Sequence, residues 1–246
     1  MSAGDIKETV CFILHTRSYD ERSLLVQALS YDLGRISFVA NRVKGVKNKN
    51  KGFIQLFTPL RVSLRRVNSS LKSMYSVEQI SKPFNLEVPK LYLGMYINEL
   101  LVHLYNVQDE SAELFDLYVE TLEQLSNTQN DEYVLRLFEL KLLDFLGLGI
   151  GLNQESPFRF KNDKYYFFKE NEGLVESDLV LVENVAYKNY FSGADLNSFI
   201  EDQNITPKVL KTVKNLCRTL LEPLLQNKTI QSREIYKSFI DNKIRM

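Results

Sequence analysis

Apolar positions follow two different periods along this chain, and the change falls near residue 82. Before it, short β-rich runs dominate. Val10–Arg17 and Ser23–Leu29 are the first two, and Asp32-Leu-Gly34 is a turn signal before the third. Arg35–Arg42 alternates Ile36, Phe38 and Ala40 with polar neighbours, Val39 excepted. Leu60–Val67 alternates again, Asn68-Ser-Ser70 reads as a turn, and Leu71–Val77 makes a fifth strand. The polar stretch Lys44–Gly52 between the third and fourth runs reads as a loop.

After residue 82 the spacing becomes helical. Leu91–Val107 carries Ile97, Leu100, Leu101 and Leu104 on one stripe. Ser111 is placed to cap a helix with Leu114, Leu117, Tyr118, Thr121, Leu122 and Leu125 on one face. A third helix spans about Asp131–Leu146 and stops at Gly147 and Gly149. Phe158–Phe168 is aromatic, with Asn162-Asp163 as a turn, and reads as a hairpin. Thr206-Pro207 caps and starts a helix whose core face is Val209, Leu210, Val213, Leu216, Cys217, Leu220 and Leu221, with Pro223 at its end. Ser232–Ile240 forms a last short helix. The expectation is an α+β chain: a five-stranded barrel over residues 1–82, then a mainly α-helical domain over 83–246 with a small β-hairpin near 158–168. Five short strands in about 80 residues match the OB-fold, a barrel that commonly binds nucleic acid.

Composition narrows the class. Of 246 residues 44% are hydrophobic and 25% charged, ordinary for a globular protein and unlike a disordered or collagen-like chain. Two cysteines, Cys11 and Cys217, exclude a disulfide scaffold and a four-cysteine zinc site. No run approaches the roughly 18 apolar residues of a membrane span. The short run Val10–Leu14, preceded by Asp5 and Glu8, does not read as a signal peptide, so a reducing cytoplasm is expected.

The formal net charge is zero, but it is unevenly distributed. Residues 1–82 hold 14 Lys/Arg against 6 Asp/Glu, and residues 83–246 hold 17 against 25. Between Asp32 and Glu78 there is no acidic residue, yet Arg35, Arg42, Lys44, Lys47, Lys49, Lys51, Arg61, Arg65, Arg66 and Lys72 all fall there. Cations gathered in this way repel one another unless an anion relieves them, which points to a polyanion.

Catalytic motifs are thin. His15 and His103 are not spaced as metal ligands, and no phosphate-loop or dinucleotide fingerprint stands in the required context. Metal-dependent nucleases need carboxylates on the phosphate path, and the basic segment has none. Single-strand binding needs a positive groove with aromatic faces between the charges. The basic residues above, with Phe38, Phe53, Phe57 and Tyr75 interleaved, supply both; Phe38 is expected in the core, while Phe53 and Tyr75 are left open. The expected DNA-binding set is Arg35, Arg42, Lys44, Lys47, Lys49, Lys51, Arg65, Arg66 and Lys72, and no catalytic or metal residues are assigned. An RNA-binding OB protein of translation or RNA processing fits these features as well.

Several ordered segments resemble the RecO family of bacterial recombination mediators. They are Leu14–Arg17, Ser23–Leu25, Gly34–Ala40, Gln55–Leu60, Leu71-Lys72, Tyr92–Leu101, Glu113–Asp116, Arg136–Leu143, Leu146–Gly149 and Ser232–Glu234. The resemblance implies a non-enzymatic protein with an N-terminal OB-fold and a largely helical second domain. It implies binding to single- and double-stranded DNA, annealing of complementary strands, and contact with the single-stranded DNA-binding protein (SSB). With RecR, such proteins help load RecA on SSB-coated strands. Two departures stand out. Ser18 replaces a common proline, and the zinc module of many relatives has no counterpart here, its place falling to Phe158–Phe168. Arg136 lies where the family binds its partner, and Lys208, Lys211, Lys214 and Arg218 recur along one helix. These five are the candidates for the SSB tail, an acidic peptide ending in phenylalanine. No cofactor is expected, and no membrane.

Overall fold

The computed structural model describes residues 6–41, 43, 52–65, 71–105, 112–148, 159–170, 172–177, 189–226 and 228–244, with side chains through Asp241. Along the chain the elements are β1 (Ile6–Ser18), β2 (Leu24–Ser30), β3 (Gly34–Ala40), β4 (Pro59–Arg65), β5 (Lys72–Gln79), α1 (Lys90–Leu104), α2 (Ala112–Asn127), α3 (Asp131–Phe145), β6 (Tyr165–Lys169), β7 (Gly173–Ser177), β8 (Tyr190–Ser192), α4 (Gly193–Ile200), α5 (Pro207–Leu225) and α6 (Gln231–Ile244). The expected turn at Asn68–Ser70, the cap at Ser111 and the stop at Gly149 lie outside the described residues. Two compact units result, one from Met1–Gln129 with Ile230–Met246, the other from Asn130–Thr229. These units and the strand-to-helix change near residue 82 are different divisions of the chain.

In the first unit, β1-β2-β3-β5-β4 close into a barrel. β3 and β5 run parallel, with Phe38 opposite Lys72, and the other strand-to-strand pairings of the barrel are antiparallel. This is the OB arrangement expected from the strand pattern. Inward residues such as Ile13, Val26, Ile36, Phe38, Val62 and Leu64 fill the interior. β1 is buried on both faces, which accounts for its unbroken apolar run. Cys11 and Ile13 face the barrel core, while Phe12 packs on Phe115 and Tyr118 of α2 at ring separations of 5.6 and 5.3 Å.

A bulge interrupts β1: Ile13 pairs with Ala28 and His15 with Gln27, so Leu14 has no opposite residue. Its carbonyl accepts instead from Asn98 Nδ2 of α1 at 3.2 Å, and Tyr118 Oη donates to Asn98 Oδ1 at 2.8 Å. α1 comes close to the barrel because Gly94 has no side chain; a Cβ there would lie 2.6 Å from Leu86 Cδ1 and 2.9 Å from the Phe57 ring. α6 returns onto α1. The Ser232 amide donates to Glu99 Oε1 at 3.1 Å, placing a carboxylate at the helix N-terminus, and Arg233 donates to Tyr96 Oη at 2.7 Å.

The second unit combines α3, a sheet of order β7-β6-β8, α4 and α5. Asn162-Asp163 does form a turn, but it precedes the hairpin. The paired strands are β6 and β7, from Tyr165 opposite Ser177 to Lys169 opposite Gly173, so the hairpin is shifted toward the C-terminus from the expected 158–168. β8 and α4 were not anticipated. Gly193 joins them, where a Cβ would lie 2.2 Å from the Lys161 carbonyl oxygen. Ser192 caps α4, Thr206 caps α5 with Pro207 in its first turn, and the predicted α5 stripe is buried except for half-buried Leu210. Pro223 lies inside the last turn; α5 ends two residues later, where Gln226 adopts a left-handed φ of 47°.

Candidate nucleic-acid interface

Strand ends and one turn meet at a single edge of the barrel. β3 finishes at Ala40, β4 at Arg65, and β5 begins at Lys72. Ala40 is opposite Leu24, the first residue of β2, so the β1–β2 turn also reaches this edge. Asp20 shapes that turn: its Oδ1 accepts from the amides of Arg22 and Ser23 at 2.7 and 2.6 Å. An open cleft of 680 Å³ lies here, lined by Asp20, Glu21, Arg22, Ser23 and Asn41. Asn41 Nδ2 donates to Ser73 Oγ at 3.1 Å, and Ser73 is the register partner of Arg65.

β5 carries the second bulge. Ser63 pairs with Ser76 and Leu64 with Met74, leaving Tyr75 without an opposite residue. Met74 points into the core, Tyr75 and Ser76 both face solvent, and Val77 returns to the core side. Tyr75 is 57% exposed, and the Arg65 guanidinium carbon sits 4.1 Å above its ring centroid. Arg65 is exposed, and no carboxylate pairs with it among the described residues.

The other described basic residues of the barrel have different surroundings. Lys72 is half-buried, and desolvation lowers its ammonium pKa. Arg35 stands at the far end of β3, about 20 Å along the strand from Asn41. Its Nε donates to the Tyr105 carbonyl at 2.6 Å, and burial lowers its pKa. Arg61 is neutralised on the barrel surface, 2.6 Å from Glu78 and 3.4 Å from Glu8. The sequence gap between acidic residues therefore hides spatial acids, because pairing brings Glu8 and Glu78 to either side of β4. Phe57 is core, and half-buried Phe53 packs against the core. Arg42, Lys44, Lys47, Lys49, Lys51 and Arg66 lie outside the described residues; in sequence they follow directly on Asn41 and Arg65.

In the second unit the candidates separate by environment. Arg136 is only 5% exposed and lies 2.7 Å from fully buried Glu139, so its charge is balanced inside the fold. Lys208 is 3.4 Å from Asp195, and Lys214 is 2.9 Å from Glu132. Lys211 and Arg218 are exposed on α5, with no carboxylate partner among the described residues. Also among the described residues, no group of three or more His, Cys, Asp or Glu converges as metal ligands, and no helix is long and apolar enough to cross a membrane.

Comparison with known proteins matches both halves to one family. Residues 1–83 match "Recombination protein O N terminal", and residues 86–234 match "Recombination protein O C terminal". The chain belongs to the RecO family. It is 36% identical over 226 residues to the DNA repair protein RecO of Coxiella burnetii (strain RSA 493 / Nine Mile phase I), covering 91% of this chain and 95% of that relative. It is 32% identical over 228 residues to the DNA repair protein RecO of Aliivibrio fischeri (strain ATCC 700601 / ES114), covering 92% and 93%. The DNA repair protein RecO of Salmonella dublin is 32% identical over 237 residues, covering 94% of each chain. The segments that resembled the RecO family include several contacts described above: Leu14 meets Asn98 within Tyr92–Leu101, and Ser232-Arg233 meets Tyr96 and Glu99.

Proposed function

We propose that this chain is a DNA-binding recombination mediator in DNA repair. It binds single- and double-stranded DNA without altering covalent bonds, anneals complementary strands, and helps load RecA on SSB-coated strands together with RecR. Membership of the RecO family supports the role in repair and recombination. The observation that carries the DNA-binding reading is the barrel edge where Arg65, Lys72, Asn41 and Ser73 converge and from which the basic stretches 42–51 and 66 continue in sequence. Arg42, Lys44, Lys47, Lys49, Lys51, Arg65, Arg66 and Lys72 form the phosphate-binding set. Arg35, at the far end of β3, contributes at most at the margin of this surface.

Phosphates dominate affinity in such an interface, so binding is salt-dependent and weakly sequence-specific. Labelled oligonucleotide titrated at several salt concentrations tests the reading, with a matched RNA strand as competitor. Salt-dependent binding that RNA does not preferentially displace is expected. Salt-independent binding, no binding, or a clear RNA preference refutes it. Annealing of complementary strands, with and without SSB, tests the mediator role.

For the SSB tail, Lys211 and Arg218 on the outward side of α5 are the proposed cationic contacts. Lys208 and Lys214 already face carboxylates, and Arg136 acts from within by holding Glu139.

A further inference from the structure

We propose that Tyr75 and Arg65 together form a stacking platform for an unpaired nucleobase, and that this platform favours single strands over duplex at the barrel edge. The inference rests on the DNA-binding reading above and adds the basis of strand selection.

Three observations carry it. First, the β5 bulge places Tyr75 outward beside another outward residue, Ser76, while Met74 and Val77 keep the core side. A bulge re-aims a side chain at the cost of a ladder position. Here the residue it re-aims is the most exposed large apolar-bodied side chain among the described residues. Second, the Arg65 guanidinium carbon sits over that ring, 4.1 Å from its centroid, and Arg65 has no carboxylate partner among the described residues, whereas Arg61, four residues earlier on the same strand, faces two. The stack fixes both side chains before a ligand arrives, which reduces the ordering cost of binding. Third, the outward residues paired next to the bulge are small: Ser63 is opposite Ser76, and Ser73 is opposite Arg65 itself.

The chemistry follows from geometry. A base in duplex has both faces covered by its neighbours, while an unpaired base offers a face to an aromatic ring or a guanidinium plane. The guanidinium keeps its N–H edges for a phosphate oxygen while its face stacks. Stacking is sequence-tolerant because every base has a π-face, so the platform selects strand state and not sequence.

The test measures single-strand and duplex affinity of the full chain with Tyr75→Ala, Tyr75→Phe and Arg65→Lys. Tyr75→Ala is expected to weaken single-strand binding by about 5- to 150-fold, the worth of one stacked base. Duplex affinity and the salt slope should stay unchanged, and Tyr75→Phe should bind like the parent. Arg65→Lys, which keeps the charge but loses the plane, should reproduce part of the single-strand loss. Unchanged single-strand affinity in Tyr75→Ala, or equal loss on both substrates, overturns the platform while leaving the DNA-binding reading intact. A parent chain that binds no DNA overturns that reading instead. As an independent readout, photocrosslinking an iodouracil-substituted single strand should place the adduct on Tyr75 or Arg65; an adduct confined to other residues also overturns the proposal.

Discussion

Asn98 donates to the carbonyl of Leu14, 84 residues earlier, and thereby ties α1 to the bulge of β1. Tyr118 completes the chain by donating to the other end of the same amide. All the side-chain atoms involved are buried, so no water replaces a lost partner cheaply. Asn98→Leu strands a carbonyl and a hydroxyl and should cost about 3 kcal/mol, whereas Tyr118→Phe should cost about 1 kcal/mol. Urea denaturation checks this: the midpoint should fall with the slope unchanged. An Asn98→Leu variant as stable as the parent would show that the network contributes little.

Phosphate contact should depend on which cations are already paired. Charge reversal at Lys47, Lys49 and Lys51 is expected to weaken strand binding for every sequence tested. It should also flatten a parental salt slope of about −3.5, the value for roughly five phosphates on a single strand. Arg61→Ala should change affinity less than twofold, since Glu8 and Glu78 already neutralise that guanidinium. A loss in Arg61→Ala as large as in the lysine variants would place the interface on the wrong part of the barrel.

Much of this architecture was legible from local sequence pattern. Short β-rich runs bounded by turn signals located the five barrel strands, with alternation visible in β3 and β4, and the helical stripes of α2 and α5 matched the buried residues closely. What escaped had physical causes. The spacing of Met74 and Val77 by three breaks alternation, and only a bulge reconciles it; that spacing was the available sign that Tyr75 would be exposed. β8 and α4 are short, and α4 begins with Gly-Ala, so neither period had room to show. Linear charge counting could not see that strand pairing sets Glu8 and Glu78 beside Arg61, or that α3 turns Arg136 inward onto Glu139.

Both cysteines should be chemically silent in the folded chain. Burial pushes the Cys11 thiol from its ordinary value of 9.0 up to about 12 and raises Cys217 well above its usual range, aided by the nearby Glu139 charge. A raised folded-state value gives a stability contribution that is complete below pH 9.0 and lost as pH rises toward about 12, so alkali should favour unfolding. At pH 8 a thiol reagent should label neither cysteine natively and both in denaturant. Rapid native labelling would contradict the packing of β1 and α5.

Gly193 should resist substitution, because an added Cβ meets backbone and not a movable side chain. Its amide also donates to the Lys164 carbonyl at 2.9 Å, holding the start of α4 against the turn before β6. Gly193→Ala is expected to destabilise by about 1–3 kcal/mol, the usual cost of overpacking. Gly173→Ala serves as a contrast: its φ of +77° imposes strain, but open space surrounds it. Protease resistance of the 130–229 unit should fall more in the first variant than in the second. Equal resistance would show that the Lys161 backbone yields easily.

Arg136 distinguishes a cationic contact from a buried counter-ion. Removing it leaves the Glu139 carboxylate unbalanced at a fully buried position, which typically costs about 3–5 kcal/mol. Arg136→Ala should therefore lower thermal stability sharply and affect peptide binding through folding. Lys211→Glu and Arg218→Glu lie on exposed turns of α5 and should leave stability within about 0.5 kcal/mol. If α5 receives the SSB tail, these two variants should abolish binding of an acidic, phenylalanine-ended peptide while strand binding persists. Calorimetry of all three variants against the peptide, beside their melting curves, separates the roles. A stable Arg136→Ala variant that loses the peptide would return Arg136 to the binding surface. Unchanged peptide affinity in both α5 variants would remove α5 from it.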